Sequence, residues 1–403
     1  MKNLKHSLIP ALALGVALLP AVAFAQKKYD AGASDTEIRI GNTAPYSGPA
    51  SAYQEIAKAM SAYFDKVNAE GGINGRKVKF ISVDDGYSPA KTVEQTRKLV
   101  EQDKVLFLSG SIGTGPQLAV QKYMNVNKIP QLFVGSGQGR FSQPKEFPWS
   151  IGFSPGYAAE GKAIGRYIAA TKPDAKVAVI VPADDAGKDY LRGFKEGLAD
   201  SKKISIVSEA NYSTADATVD SQITAFKSSG ADVFFNEATP KFAAQGIAKS
   251  HDIGWKPMMI LPTVSTSVTS VLKPAGLEKS VGVVAPAFIK DPNDKTWEND
   301  KGMQAWRAWM AKYNPSANTG DPMAVQGYLI GELTTEVLKR CGDNLTRENI
   351  LKQVTALKDL QLSLMVPGIR INTAPDEYRI FHKFQFQRFD GKTWQLFGGL
   401  VGD

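Results

Sequence analysis

Short apolar runs alternate with segments of helical spacing along most of this chain, and that alternation limits the fold more than any other feature. Glu37–Asn42 and Lys77–Asp84 have the residue pattern of strands. Between them, apolar residues recur every three or four positions, as on one face of a helix: Tyr53, Ile56, Met60, Phe64 and Val67. Strands that alternate with helices form parallel sheets covered on both faces, so we predict an α/β fold.

The alternation occurs in two arrays of comparable size. The first array continues with strands at Val105–Ser109 and Ile129–Gly135, each followed by a loop of small residues. The second array has five strand candidates, at Lys176–Pro182, Ile204–Ala210, Ala231–Asn236, Pro257–Pro262 and Val281–Ala285. An irregular stretch with three prolines, Gln138–Tyr157, separates the arrays, and we predict a domain boundary there.

The C-terminal part has a different pattern. Trp297–Lys358 is predicted to be mainly helical. Phe381–Asp390 and Thr393–Phe397 flank Asp390-Gly391, which is a common turn in β-hairpins. We therefore predict a hairpin near the C-terminus.

The first 25 residues have the pattern of an export signal. Lys2 and Lys5 precede the apolar run Leu8–Leu19, and Ala23-Phe24-Ala25 matches a signal-peptidase site. A membrane anchor is the alternative, but Pro10, Pro20 and the small residues at the cleavage site argue against it. We expect cleavage after Ala25 and a periplasmic location.

Composition excludes several kinds of chemistry. The chain has a single cysteine, Cys341, so it has neither a cysteine-rich metal site nor an internal disulfide. It has only three histidines. Neither a zinc-protease motif nor a nucleophile elbow is present in the sequence. A formal charge of +8 over 403 residues is mild and indicates no nucleic-acid partner. We expect no cofactor and no metal.

Carboxylate pairs and glycine-rich loops follow several of the predicted strands. Asp84-Asp85 and Asp184-Asp185 could serve acid–base chemistry, but such residues more often cap helices and shape loops. Ser109–Gly115 and Gly135–Gly139 each follow a strand, and the first opens a helix whose amino terminus favours an anion. Because open α/β sheets bind ligands at this edge, we predict an anion site there, with a carboxylate as the simplest ligand group.

Three segments carry a family resemblance: Ala44–Ala50, Val67–Gly75 and the pair Asp84-Asp85. With the order of elements, they resemble the leucine/isoleucine/valine-binding type of periplasmic solute-binding protein of ABC transporters, over nearly the whole chain after the export signal. The resemblance implies the type I periplasmic binding protein fold, with two doubly wound parallel-sheet lobes joined by a three-crossover hinge. It also implies a monomer without catalysis that traps a small molecule by hinge closure and delivers it to a membrane permease.

The resemblance divides the chain into five segments. We expect a signal peptide at 1–25, the first lobe at 26–153 and 286–362, and the second lobe at 154–285 and 363–403, the last including the hairpin.

The resemblance also implies which residues surround the ligand. It puts Tyr53 at the cleft edge. Around the ligand carboxylate it puts Ser111, Ile112, Gly113, Thr114, Gly135 and Ser136. On the second lobe it puts Asp185, Glu237 and Thr263.

Three positions depart from the amino-acid binders of this family. Thr263 stands where those proteins have a glutamate that accepts the ligand ammonium, and Ala186 and Ala238 stand where they have pocket tyrosines. A buried ammonium without an acceptor is costly, so we expect a ligand without an α-amino group, such as an aromatic acid. A branched-chain amino acid, with Glu237 as its acceptor, is the alternative, and an exported α/β enzyme is a third possibility.

Overall fold

A computed structural model describes residues 27–402, so the predicted export signal lies outside the described residues. Within this range, none of the helices combines the length and apolar character needed to cross a membrane.

The strands of the described residues fall into two large sheets and one short parallel pair. In chain order they are β1 (Lys28–Tyr29), β2 (Glu37–Ala44), β3 (Lys77–Asp84), β4 (Phe107–Ser109), β5 (Gln131–Val134), β6 (Ser150–Gly152), β7 (Lys176–Pro182), β8 (Ser205–Tyr212), β9 (Val233–Asn236), β10 (Met258–Ile260), β11 (Val284–Ala287), β12 (Asn344–Leu345), β13 (Lys383–Phe389) and β14 (Trp394–Gly402).

The helices connect successive strands and cover the sheets. In chain order they are α1 (Gln54–Ala69), α2 (Pro89–Arg97), α3 (Thr114–Val126), α4 (Tyr157–Thr171), α5 (Asp185–Leu198), α6 (Asp220–Ser228), α7 (Pro240–Asp252), α8 (Lys273–Ala275), α9 (Lys301–Tyr313), α10 (Pro322–Cys341) and α11 (Arg347–Val354). Short 3₁₀ turns occur at Ser51–Tyr53, Gly139–Ser142, Thr263–Ser265, Glu278–Ser280 and Lys295–Trp297, and π-helical turns at Lys98–Gln102 and Val268–Leu272.

The first lobe is built on a parallel sheet in the order β3-β2-β4-β5-β6. Helices α1 and α10 pack on one face, where Phe64 and Leu329 belong to the same buried cluster. A separate cluster that includes Leu108 and Met124 lies between the sheet and the α2–α3 side. The predicted doubly wound arrangement is confirmed for this lobe.

The second lobe is built on a sheet in the order β14-β13-β11-β10-β9-β7-β8. Its strands are parallel except for the C-terminal hairpin, in which β13 runs antiparallel to β11 and to β14. Helices α4 and α5 cover one face, with Ile164 and Phe194 in their core, and α6 and α7 cover the other, with Phe226 and Phe242. The α/β prediction is therefore confirmed for both lobes.

The described chain passes between the lobes three times, and each crossing carries a buried phenylalanine. Phe153 follows β6, Phe288 follows β11, and Phe381 precedes β13. The ring centroids of Phe288 and Phe381 are 4.7 Å apart, those of Phe153 and Phe381 5.2 Å, and those of Phe153 and Phe288 6.3 Å. These three rings, which we call the hinge cluster, tie the crossings together.

The structure differs from the sequence prediction in two places. The stretch Gln138–Tyr157, predicted to be irregular, contains β6, which adds a fifth strand to the first sheet. The C-terminal return to the second lobe was predicted at residue 363. Instead, Leu364–Phe381 contributes eight buried side chains to the first-lobe cluster, because its apolar residues share one core with those of α9 and α10, and the return comes at β13.

We expect the hinge cluster to be a major source of stability. Phe381→Ala removes a buried ring from contact with two others, so the free energy of unfolding should fall by about 3–5 kcal/mol. Denaturant unfolding measures this. Val126→Ala is the control, since Val126 is 72% exposed and the change should cost less than about 0.5 kcal/mol. Equal losses in the two variants would contradict the role of the cluster.

Candidate functional site

A cavity lies between the two lobes, at the edges where the parallel strands end. The first lobe supplies loops that follow β3, β4 and β5, and the second lobe supplies loops that follow β10 and β11. The lining residues nearest the loops are Tyr53, Tyr87, Ile112, Gly113, Gly135, Tyr157 and Thr263, and those nearest the crossings include Phe288, Lys290, Met323 and Trp394. This is the edge at which open α/β sheets bind ligands.

Half of the sequence-predicted site residues line this cavity. They are Tyr53, Ile112, Gly113, Gly135 and Thr263. The Tyr53 hydroxyl also crosses the cleft, because it donates to the Val264 carbonyl of the second lobe at 3.4 Å. Tyr53 therefore contacts both walls of the cavity.

Three further predicted residues, Ser111, Thr114 and Ser136, are buried directly behind the lining. The Ser111 hydroxyl accepts the Thr43 amide at 3.1 Å, so this side chain holds the loop to β2. The Thr114 and Ser136 hydroxyls are 2.8 Å apart, and both hydrogen-bond to the Tyr157 hydroxyl. Thr114 and Ser136 thus position a hydroxyl that lines the cavity.

The loop amides are arranged differently from the sequence interpretation. It predicted an anion site at the ends of these strands, at the amino terminus of the helix that follows Ser109–Gly115. Instead, the Gly113 and Gly135 amides donate to carbonyls of the two loops, and the Ile112 and Ser136 amides donate to carbonyls at the ends of β2 and β5. The Thr114 amide, at the amino terminus of α3, donates to the Tyr87 hydroxyl. Tyrosine hydroxyls, rather than bare loop amides, therefore face the cavity at this helix end.

Tyr87 is a site residue that sequence reasoning missed. It has a left-handed backbone conformation, with φ +61°, which is uncommon for a bulky residue. The buried Asp85 carboxylate holds this turn by accepting the Tyr87 amide and the Thr92 hydroxyl, each at 2.9 Å. Asp84 accepts from Ser47, Gly86 and Lys91. The Asp84-Asp85 pair therefore shapes the loop that places Tyr87.

The other carboxylate pair begins α5. Asp184 caps the helix by accepting the Ala186 and Gly187 amides at 2.9 and 3.1 Å. Asp185, a predicted ligand residue, is partly exposed and pairs with Lys188 at 2.9 Å, and it is not among the lining residues. Ala186 and Ala238 lie in the buried cores and are not among the lining residues.

Helices α4 and α5 bring two more tyrosines to the site. A Cβ at Gly193 would clash with the Ala158 carbonyl, so glycine at this position lets the two helices pack closely. The rings of Tyr157 and Tyr190 stack with centroids 4.4 Å apart. The sequence analysis placed Tyr157 at the end of the irregular stretch Gln138–Tyr157, and no local signal there points to the cleft.

Glu160 anchors the second-lobe wall of the cavity. It is fully buried on α4, and its carboxylate accepts the Thr263 amide at 2.6 Å, the Thr263 hydroxyl at 2.8 Å and the Tyr190 hydroxyl at 3.0 Å. Burial raises its pKa to about 7, although these three donors lower it. Thr263, expected to replace a ligand-binding glutamate, is thus itself held by a glutamate from another element.

Glu237 follows β9 and is almost fully buried, at 3% exposure. Burial raises its pKa well above the ordinary range, and the nearby Asp184 and Glu160 raise it further. Its Oε2 atom makes no hydrogen bond within the described residues. Glu237 therefore differs from Glu160 and Asp184, whose carboxylates both have partners.

The end of the cavity near the crossings combines aromatic and polar groups. Lys290 donates to Asp300 at 2.8 Å and to the Ser363 carbonyl at 3.2 Å, and its ammonium lies 5.2 Å from the Trp297 ring centroid. The Trp394 indole donates to the Thr266 carbonyl at 2.8 Å. Among residues 27–402, no group of histidine, cysteine, aspartate or glutamate side chains could hold a metal ion.

Comparison with known families and proteins identifies relatives over most of the chain. A family model described as "Periplasmic binding protein" matches residues 37–393. A Leu/Ile/Val-binding protein homolog from Brucella melitensis is 28% identical over 231 residues, which is 55% of this chain and 60% of that protein. The chain thus aligns with about 60% of the length of the curated relatives it matches.

Solved structures match the fold over nearly the whole chain. A branched-chain amino acid ABC transporter protein from Thermus thermophilus with bound valine has a TM-score of 0.82 and 16% identity, covering 91% of this chain and 97% of that one. A solute-binding protein from R. palustris in complex with benzoate has a TM-score of 0.76 and 21% identity, covering 91% and 98%. At these identities the likeness establishes the type I periplasmic binding protein fold.

Glu160 should make stability depend on pH. A carboxyl whose pKa rises from about 4.5 when unfolded to about 7 when folded favours the folded state in its protonated form. Its contribution is therefore lost as the pH rises from about 4.5 to about 7, by about 3 kcal/mol. Denaturant unfolding of wild type and Glu160→Gln at pH 5 and pH 8 should show that the variant lacks this loss.

Other buried carboxyls titrate in both wild type and Glu160→Gln. The test is therefore the difference between their two profiles of unfolding free energy against pH. Glu94→Gln, at an exposed position on α2, should keep the wild-type profile. Parallel profiles for wild type and Glu160→Gln would show that Glu160 does not carry this effect.

Proposed function

The chain belongs to the periplasmic binding protein family, and we propose that it is the substrate-binding component of an ABC transporter that captures a small aromatic carboxylate. The ligand binds between the lobes in the periplasm and passes to a membrane permease. The observation that carries this proposal is a cleft lined by aromatic rings with tyrosine hydroxyls at the amino terminus of α3.

The carboxylate binds at the amino terminus of α3. There the Tyr87 hydroxyl accepts the Thr114 amide, and the Tyr157 hydroxyl hydrogen-bonds to Thr114, Ser136 and the Gly137 amide. Burial raises the pKa of both tyrosines, so they stay neutral and can donate to an anion. The helix dipole adds a favourable field for negative charge.

The ligand body occupies the apolar part of the cavity. Tyr53 and Tyr87 face each other there with ring centroids 6.4 Å apart, and Ile56 and Ile112 flank them. Phe288, Met323 and Trp394 line the end near the crossings. Aromatic rings and branched aliphatic side chains of this kind favour a planar aromatic ligand body. Ring–ring contacts add a small favourable free energy to that of burying apolar surface.

Contacts across the cleft support closure around the ligand. In addition to Tyr53 with Val264, the Gly139 amide donates to Asp189 at 2.8 Å. The Asn318 amide group donates to the Thr269 hydroxyl at 2.8 Å, again from the first lobe to the second. These bonds form only when the lobes meet, so they stabilise the closed form that a permease would recognise.

Binding of a branched-chain amino acid is the second candidate. It is favoured by the unpartnered Glu237 carboxyl, which could accept a ligand ammonium. The relatives and structural neighbours include binders of both kinds of ligand.

A ligand panel separates these candidates. We expect benzoate and phenylacetate to raise the melting temperature more than leucine or valine, and calorimetry to give the affinities. Tyr87→Phe and Tyr157→Phe should each weaken benzoate about tenfold or more, because each removes a hydrogen bond to a charged group. Stabilisation by leucine or valine alone would contradict the aromatic-acid proposal.

Tyr123→Phe is the matched control for the loss of a tyrosine hydroxyl. Tyr123 lies on α3 outside the cavity and donates to Glu101 at 2.9 Å. Its loss should leave ligand affinity unchanged.

A further inference from the structure

Glu237 has a property that the binding of a simple carboxylate does not explain. Several buried side-chain atoms in the described part of the chain lack a hydrogen-bond partner, and Glu237 Oε2 is the one carboxyl oxygen among them. A buried polar atom without a partner costs free energy, and native proteins pair nearly all such atoms. The absence of a hydrogen-bond partner for Glu237 Oε2 therefore needs a physical reason.

The position of Glu237 connects it to the cavity. Burial raises the pKa of Tyr53, Tyr157, Tyr190 and Tyr212, and the nearby Glu237 carboxyl raises each of them further. Tyr53 and Tyr157 line the cavity from opposite lobes. Glu237 does not itself line the cavity, but it directly follows β9, and the adjacent Ala238 carbonyl accepts the Ser265 hydroxyl. Because Thr263 and Val264 of that same loop line the cavity, Glu237 lies behind the second-lobe lining.

The neighbouring polar groups are already paired with other partners. Tyr190 donates to Glu160, Tyr212 bonds with Thr239, and Tyr53 donates to Val264. Asp184 accepts two amides at the start of α5. The protein therefore surrounds Glu237 with satisfied groups and leaves its buried Oε2 atom without a partner.

We infer that Glu237 is a specificity residue that pairs with a hydroxyl group carried by the ligand in addition to its carboxylate. This inference rests on the proposed function, and it narrows the ligand class to hydroxylated aromatic acids. The bound hydroxyl donates to, or accepts from, the Glu237 carboxyl, and its pairing compensates the cost of burying that carboxyl.

A hydroxyl suits this carboxyl better than an ammonium. Burial and the nearby Asp184 and Glu160 favour the protonated, neutral form of Glu237, which can both donate and accept. An ammonium needs several acceptors when it is buried. Glu160 already accepts three donors and Asp184 two, so few acceptors are left for a cation here.

Pairs of ligands that differ by one group test the inference. Phenylacetate, mandelate and phenylglycine differ only in carrying hydrogen, hydroxyl or ammonium next to the carboxylate. Benzoate, 3-hydroxybenzoate and 4-hydroxybenzoate place the hydroxyl on the ring instead. Calorimetry on the mature full-length protein should show a preference of about tenfold or more for a hydroxylated member of at least one set.

Two substitutions at Glu237 then test whether this residue causes the preference for a hydroxylated ligand. Glu237→Met removes an unpartnered polar group in favour of an apolar chain, so it should fold normally and bind benzoate and phenylacetate within about threefold of wild type. The hydroxyl preference should disappear in this variant. Glu237→Gln, which is neutral and can both donate and accept, should keep most of it.

Glu332→Gln is the matched control. Glu332 is another carboxyl of raised pKa, but it is partly exposed, belongs to the first lobe and accepts from the Ser363 hydroxyl there. This change should leave the hydroxyl preference at the wild-type value.

The outcomes separate the two proposals. A hydroxyl preference that survives in Glu237→Met, or no preference in wild type, overturns the role of Glu237 while benzoate or phenylacetate binding still supports the proposed function. A preference for phenylglycine that Glu237→Met abolishes makes Glu237 a cation acceptor and also overturns the inference. Binding of leucine without any of the aromatic acids overturns the proposed function itself.

Discussion

Packing of three phenylalanines at the crossings is the contact on which the two-lobe arrangement depends. Phe153, Phe288 and Phe381 come from three distant parts of the chain and meet with ring centroids 4.7–6.3 Å apart. This cluster holds the lobes so that the carboxyl ends of both sheets face one cleft. Chain connectivity alone would allow the lobes other orientations, and buried ring contacts select this one.

Three carboxyl groups of the second lobe lie behind the wall of a cleft that we propose for an anion, and none of them lines it. Glu160, Asp184 and Glu237 would repel a carboxylate if all three were ionised, but burial raises the pKa of each. Their roles also differ. Glu160 holds the Thr263 turn, Asp184 caps α5, and Glu237 keeps an oxygen without a partner. The second lobe can therefore use carboxyl groups for structure and specificity without excluding an anionic ligand.

The sequence predicted the alternation of strands and helices well because both have local signals. The bounds predicted for β3 and β7 agree with the structure, since apolar periodicity and flanking turn residues are properties of neighbouring positions. Pairing partners depend on distant residues, so β6, three residues long and set among prolines, was missed. The late return of the chain at β13 was missed for the same reason: Leu364–Phe381 has no regular period and is held by its contacts with α9 and α10.

By itself, the sequence determined the fold class, the two arrays, the C-terminal hairpin and the edge where a ligand would bind, because these follow from local periodicity and strand order. Only the tertiary structure decided which groups face the cleft. Tyr87 is presented by a left-handed turn that Asp85 holds, and Tyr157 by the close packing of α4 on α5. Glu160 and Thr263 are 103 positions apart and meet only after folding. Hydrogen-bond partners decide which polar groups remain free, and no local pattern records them.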